Sequence, residues 1–138
     1  AKDGARIYVI VGDGESQEGQ VWEAAMFAAH HKLDNFTVFV DNNKMQIDGL
    51  TKDVCNVESL AAKWAAFGFD VQEVNGHDED AIDLAITNAK KVVGKPTCII
   101  LDTIKGHGVS IFEQMGFANH SCNVSQEQLQ IALNELED

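Results

Sequence analysis

The chain has 138 residues, 45% hydrophobic and 23% charged, with one proline and 11 glycines. This is the size and composition of one folded domain, expected to bury roughly 68–70% of its unfolded surface, and it is unlike a disordered segment. A formal charge of −12 excludes nucleic acid and anionic membrane as natural partners, because both are held by clustered Lys and Arg.

Residues 7–11 (IYVIV) form a continuous apolar run that predicts a strand covered on both faces. Trp22, Met26, Ala29 and Leu33 then recur at helical spacing, and Val21, Ala25 and Ala28 widen the stripe, which predicts a helix packed on more than one side. Residues 36–40 (FTVFV) read as a second covered strand, and Leu60, Trp64 and Phe67 as a shorter helix stopped at Gly68. Residues 71–74 (VQEV) alternate, as a strand nearer an edge does. Ile82, Ala85, Ile86, Ala89 and Val93 predict a helix capped by Asp78, with Lys90 and Lys91 in its last turn and Gly94 and Pro96 to end it. Residues 98–101 (CIIL) are a fourth strand, and Leu129, Ala132, Leu133 and Leu136 a last helix behind the capping box of Ser125 and Gln128. Strands and helices that alternate throughout predict an α/β fold, a parallel sheet with helices on both faces.

Cys55, Cys98 and Cys122 are odd in number and contain no C-x-x-C pair, so reduced thiols in a cytoplasmic protein are expected. No apolar run approaches membrane-spanning length. Ala1 stands where an initiator Met would, which leaves room for the chain to be a piece of something longer.

Ligands of open parallel sheets bind beyond the carboxyl ends of the strands. The segments there are Gly12-Asp13-Gly14, Asp41-Asn42-Asn43, residues 75–78 (NGHD) and residues 102–108 (DTIKGHG). Neighbouring strands lie about 4.8 Å apart, so Asp13 and Asn43 can meet although 30 positions separate them. A carboxylate, an amide oxygen and a main-chain carbonyl are hard donors that suit Mg²⁺ or Ca²⁺, which would supply the positive charge a phosphorylated ligand needs in so acidic a protein. Gly12 and Gly14 let the backbone approach a diphosphate and offer it amides. Each motif taken alone is an ordinary turn; it is the pairing of two strand ends across one crossover helix that makes a site. His30 and His31 at a helix end, His77 before a helix cap, and Trp22, Trp64 and Phe67 at helical spacing have structural readings.

GDGESQEGQVWEAAMFAAHHKLDN followed by VDNNKMQIDG resembles the thiamine diphosphate-binding motif of transketolase, and the resemblance continues through AFGFDVQEVNGHD and KPTCIILDTIKGHGVS. Dehydrogenase E1 components and deoxyxylulose-phosphate synthases share the motif's two ends, but residues 22–25 (WEAA) and 46–49 (QIDG) look more like transketolase. The resemblance implies that Asp13, the Asn43 side chain and the Met45 carbonyl hold the metal. It places Gly12, Gly14, Glu15 and Lys105 against the diphosphate and Ile47 beside the cofactor. Glu18 matches a glutamate that couples two cofactors across a subunit interface. His120 matches a histidine near the reacting centre, although the family's Trp-His-Gly is here Asn119-His120-Ser121, behind a loop with one extra residue.

The same resemblance implies a transferase of the pentose phosphate pathway that moves a two-carbon ketol unit between sugar phosphates. Residues 1–138 then form a single thiamine diphosphate and Mg²⁺-binding domain, a transketolase N-terminal section truncated at its own N-terminus. A complementary pyrimidine-binding chain or domain is implied as partner, within a homo-oligomer, because its glutamate acts on the aminopyrimidine ring and no such domain is present. The alternative is a non-catalytic thiamine diphosphate-binding module or an inactive fragment.

Overall fold

The computed structural model describes residues 4–56 and 59–137. Its elements in chain order are β1 (Ile7–Gly12), α1 (Gly19–His30), β2 (Phe36–Asn42), β3 (Met45–Gln46), β4 (Gly49–Leu50), α2 (Thr51–Val54), α3 (Leu60–Ala66), β5 (Asp70–Asn75), α4 (Glu79–Ala89), β6 (Thr97–Asp102), α5 (Ser110–Met115) and α6 (Gln126–Leu136), with 3₁₀ turns at Glu15–Gln17 and Gly116–Ser121. The four long strands form one sheet in the order β1-β2-β6-β5, and every pairing is parallel. The alternating order of elements requires this, since each crossover returns the chain to the same sheet edge direction.

Helices cover both faces. On one face α1 and α3 pack Ala25, Ala28, Leu60 and Trp64 over Val11, Val38, Val40, Cys98 and Ile100. On the other, Ala85 and Ala89 of α4 pack over Phe39 and Ile99. The two central strands are therefore buried on both sides, which is why their sequences show no alternation. Trp64 is core as expected, with Trp22 and Phe67 partly buried against the same cluster: the Trp64 ring centroid lies 5.1 Å from that of Trp22, tilted, and 4.9 Å from that of Phe69, edge to face. Trp64 is 2% exposed, so Trp64→Ala is expected to destabilise the fold by about 3–5 kcal/mol, the range for truncating a buried large aromatic; the urea unfolding midpoint measures it.

Several expectations need correction. The apolar run of β1 is not covered on both faces: β1 is an edge strand, only Val11 is buried and Ile10 is 72% exposed. Helix α1 packs along one side, with Ala25 and Ala28 buried while Met26 and Phe27 face outward. It ends at His30, so Leu33 falls beyond it, after a turn in which Lys32 takes a left-handed φ of 53°. Helix α4 stops at Ala89, which leaves Lys90 and Lys91 outside it and Val93 at 84% exposure. In α6 the capping box forms, but of its apolar stripe only Ala132 is buried. The β3–β4 hairpin, α2 and α5 have no counterpart in the expected elements. No described helix is long and apolar enough to cross a membrane.

Candidate functional site

The chain leaves β1 still paired to its neighbour, because the Asp13 amide donates to the Asp41 carbonyl (3.0 Å) one step beyond the register of Gly12 with Asp41. The following turn is tied to the core. Ser16 Oγ donates to the Gly12 carbonyl (3.0 Å), and the Trp22 indole N–H donates to the Ser16 carbonyl (2.8 Å). The glycine amides are not offered outward as expected: Gly12 N–H donates to Glu15 Oε2 (3.2 Å) and Gly14 N–H to Asp13 Oδ1 (2.8 Å). A carboxylate within three residues captures each of them locally. Gly14 is required by a neighbour, since a Cβ there would lie 2.8 Å from Gln46 Cβ. Gly12 has no such neighbour; the nearest atom to a Cβ would be Glu15 N, at 3.9 Å.

Asp13 is 2% exposed. Its Oδ2 accepts from Thr51 Oγ1 (2.9 Å), and among the described residues no Lys, Arg or His forms an ion pair with it. Burial pushes its carboxyl above the usual carboxylate value, and the nearby Asp41 charge adds to the rise, while hydrogen bonds from Thr51, Gly14 and the Lys44 amide act against it. An anionic Asp13 is thus short of compensating positive charge, the electrostatic condition a bound cation relieves.

Asn43 is held in one orientation. Its Nδ2 donates to Asp41 Oδ2 (2.9 Å) and its Oδ1 accepts from the Met45 amide (3.0 Å), so the oxygen and nitrogen are distinguished by their partners. Asp41 is fixed from its other side by the Thr103 hydroxyl. The chain reverses at Lys44, which adopts a left-handed φ of 63° and pairs with Asp102. This reversal starts the β3–β4 hairpin and brings Met45, Gln46, Ile47 and Asp48 across the end of β2.

One cavity of about 610 Å³ is lined by Gly12, Asp13, Gly14, Glu15, Glu18, Asn43, Met45, Ile47, Lys105 and His120. Every candidate site residue drawn from the sequence therefore meets at a single place. Gln20, Asp41, Gln46 and Asp48 also line it and were not anticipated as site residues. Asp41 had a visible signal, as the first residue of the strand-end triplet. Thr51, which holds Asp13 from 38 positions away, had none. A second cleft of about 410 Å³ adjoins it through Asp41, Asn43 and Lys105 and adds His77, Thr103 and Ile104.

Among the described residues no three His, Cys, Asp or Glu side chains are grouped to hold a metal. A cation here would have the Asp13 carboxylate, the Asn43 amide oxygen and a main-chain carbonyl, with phosphate oxygens or water to complete its shell. That donor set suits a hard divalent ion such as Mg²⁺ and does not suit zinc. The buried Asp13, without an ion-pair partner among the described residues, and the lining of the same cavity by Gly12 both fit a metal–diphosphate pair. The cysteines lie outside the site and are free; burial pushes the Cys98 thiol up, with the Glu73 charge adding to it.

Residues 3–136 match the family model described as transketolase, thiamine diphosphate binding domain. The chain is 50% identical over 131 residues to the 6-deoxy-6-sulfo-D-fructose transketolase subunit of Clostridium sp. strain MSTE9, covering 95% of this chain and 47% of that protein. It is 41% identical over 133 residues to an apulose-4-phosphate transketolase subunit of Actinobacillus succinogenes, covering 96% and 48%. Among solved structures, the transketolase of Campylobacter jejuni superposes with a TM-score of 0.87 at 33% identity, over 96% of this chain and 21% of that one. The chain thus spans about half the length of the curated relatives it matches.

Proposed function

Because the chain belongs to the transketolase family, matched through that family's thiamine diphosphate-binding domain, we propose that it is the metal- and diphosphate-binding half of an enzyme that transfers a two-carbon ketol unit between sugar phosphates. The observation that carries this reading is Asp13: a buried carboxylate with no described cationic partner, in one cavity with Asn43, Met45 and Lys105. Thiamine diphosphate, when bound, supplies the carbanion chemistry that such a transfer requires.

The chain's own residues bind and orient. Asp13, Asn43 and the Met45 carbonyl hold Mg²⁺, and Thr51 and Asp41 keep the two side-chain ligands in place. Gly12, Gly14 and Glu15 form the floor under the diphosphate, and Lys105, the one Lys or Arg among the described residues lining that cavity, approaches it from the end of β6. Ile47 offers an apolar contact to the cofactor. His120 faces the sugar, where an imidazole can hold or pass a proton on a substrate hydroxyl. Glu18, at the start of α1, reaches a partner subunit. The names of the relatives specify a sulfonated ketose and a ketose phosphate, so the donor here is a ketose with an anionic group at its far end. Their designation as subunits supports a second, pyrimidine-binding chain as partner.

Gly12→Ala tests the diphosphate placement without disturbing the fold. A methyl there meets nothing closer than 3.9 Å, so the urea midpoint is expected to change by no more than the roughly 0.5 kcal/mol typical of harmless substitutions. Overpacking a filled contact by one methyl costs about 1–3 kcal/mol, so thiamine diphosphate affinity in Mg²⁺, measured calorimetrically with the partner chain present, falls roughly 5- to 150-fold. Unchanged affinity would remove the diphosphate from this turn.

A further inference from the structure

We propose that His77 is the positioning residue that fixes the loop carrying Lys105, and that the affinity of the site for diphosphate therefore depends on it; the second half of this inference rests on the thiamine diphosphate reading above. Two strand ends are interlocked here. Gly76 N–H donates to the Asp102 carbonyl (2.8 Å), and a Cβ on Gly76 would lie 2.3 Å from Thr103 Cγ2, so the turn after β5 is pressed against the loop after β6 with no room for a side chain. The His77 amide donates to Asn75 Oδ1 (2.9 Å), which sets the turn so that the imidazole reaches across.

At the end of that reach, His77 Nε2 accepts the Ile104 N–H at 2.8 Å. The Nε2 lone pair is thus the acceptor for this backbone amide. The ring also stacks on His107, with centroids 3.7 Å apart and planes 26° apart. His107 is held in turn by Glu113, whose Oε1 lies 3.2 Å from His107 Nδ1 and accepts the Gly108 N–H at 3.0 Å.

These contacts bracket Lys105. Thr103 is tied to Asp41, Ile104 to His77, and His107 to Glu113 and His77, so the residues on both sides of Lys105 are fixed while its side chain is left to line the cavity with Asp13 and Asn43. His77 itself lines the adjoining cleft with Asp41, Asn43 and Lys105. A cation that must meet a phosphate gains from being placed in advance, because the entropy of ordering its backbone is then not charged to binding.

Two substitutions separate the imidazole's contributions. His77→Phe keeps the ring and removes the acceptor, whereas His77→Gln restores an acceptor oxygen without the ring. In His77→Phe the Ile104 amide is expected to exchange its hydrogen about 3- to 10-fold faster, as for one lost neutral hydrogen bond, and thiamine diphosphate with Mg²⁺ to bind more weakly by a similar factor. His77→Gln recovers both. Lys105→Met weakens binding in the wild-type background and adds little in His77→Phe, because the two act as one unit. Equal exchange rates in wild type and His77→Phe overturn the anchoring, and multiplicative losses in the double variant overturn the route through Lys105. A wild-type protein that binds no cofactor even with its partner chain overturns the functional reading and the dependence of affinity on His77; the Ile104 exchange rate still decides whether His77 holds the loop.

Discussion

Asp13→Ala is expected to abolish Mg²⁺-dependent binding of thiamine diphosphate, and Asn43→Ala to do the same. On the proposed assignment either change removes a direct donor from a set that already has few, so each loss should exceed the roughly 10- to 100-fold that outer-sphere partners of metal sites cost. In a chain of net charge −12, phosphate left without its cation faces Glu15, Glu18, Asp41 and Asp48 around the same cavity, and the single Lys105 there does not offset them. Calorimetric titration of wild type and both variants, with and without Mg²⁺, provides the measurement; similar affinities throughout would end the metal assignment.

Asp13→Asn adds a test that needs no cofactor. Burial raises the Asp13 carboxyl above its ordinary value of 3.8 in the folded protein, so between 3.8 and that raised value the folded state binds more protons than the unfolded one. Stability of the metal-free protein is lost as pH rises through this window, and it stays lost above it. Asp13→Asn removes the ionisation, so its melting temperature at neutral pH exceeds that of the metal-free wild type, and the difference closes in acid. Mg²⁺ then raises the melting temperature of the wild type and leaves the variant unmoved, as linkage requires for an ion that binds only the folded site.

The parts of this molecule that were legible in its sequence are those specified locally. The Ser125–Gln128 capping box and the Asp78 cap each lie within one turn of the helix they start, and the unalternating runs of β2 and β6 announce central strands through their own composition. The run in β1 announces the same thing and is an edge strand here, because apolar content specifies what a strand can bury and not which neighbour it has. The β3–β4 hairpin has strands of two residues, too short for any period, and depends on the left-handed Lys44. At the site, Asp13 and Asn43 could be read because each ends an apolar strand, whereas the groups that hold them could not. Thr51 reaches Asp13 from 38 positions away and Thr103 reaches Asp41 from 62, and no local pattern marks either threonine. The engagement of the Gly12 and Gly14 amides was hidden for another reason: the glycine pattern permits close approach of a ligand without saying which acceptor takes the amide first.

The purified chain alone is expected to show no ketol transfer, and turnover is expected to appear when a chain carrying the pyrimidine-binding domain is added. Ile47, the apolar residue proposed to contact the cofactor, is 67% exposed, and Glu18, Met26 and Phe27 along the start and outer side of α1 are exposed as well. On the proposed reading the site excludes water and places the cofactor against a sugar, and the exposed Ile47 is the reason to expect a second protein surface over it. Positioning together with acid–base assistance contributes at least about 10³-fold, and the mixture should exceed either chain alone by that factor in a coupled assay of aldose release. Met26→Asp with Phe27→Asp lies outside the cavity lining and places charge on the outer face of α1; if that face meets the partner, this double variant loses turnover while retaining metal-dependent stabilisation by Mg²⁺. Full activity from the isolated chain would show that one half of the clamp suffices, and with it the argument from the exposed Ile47 would fall.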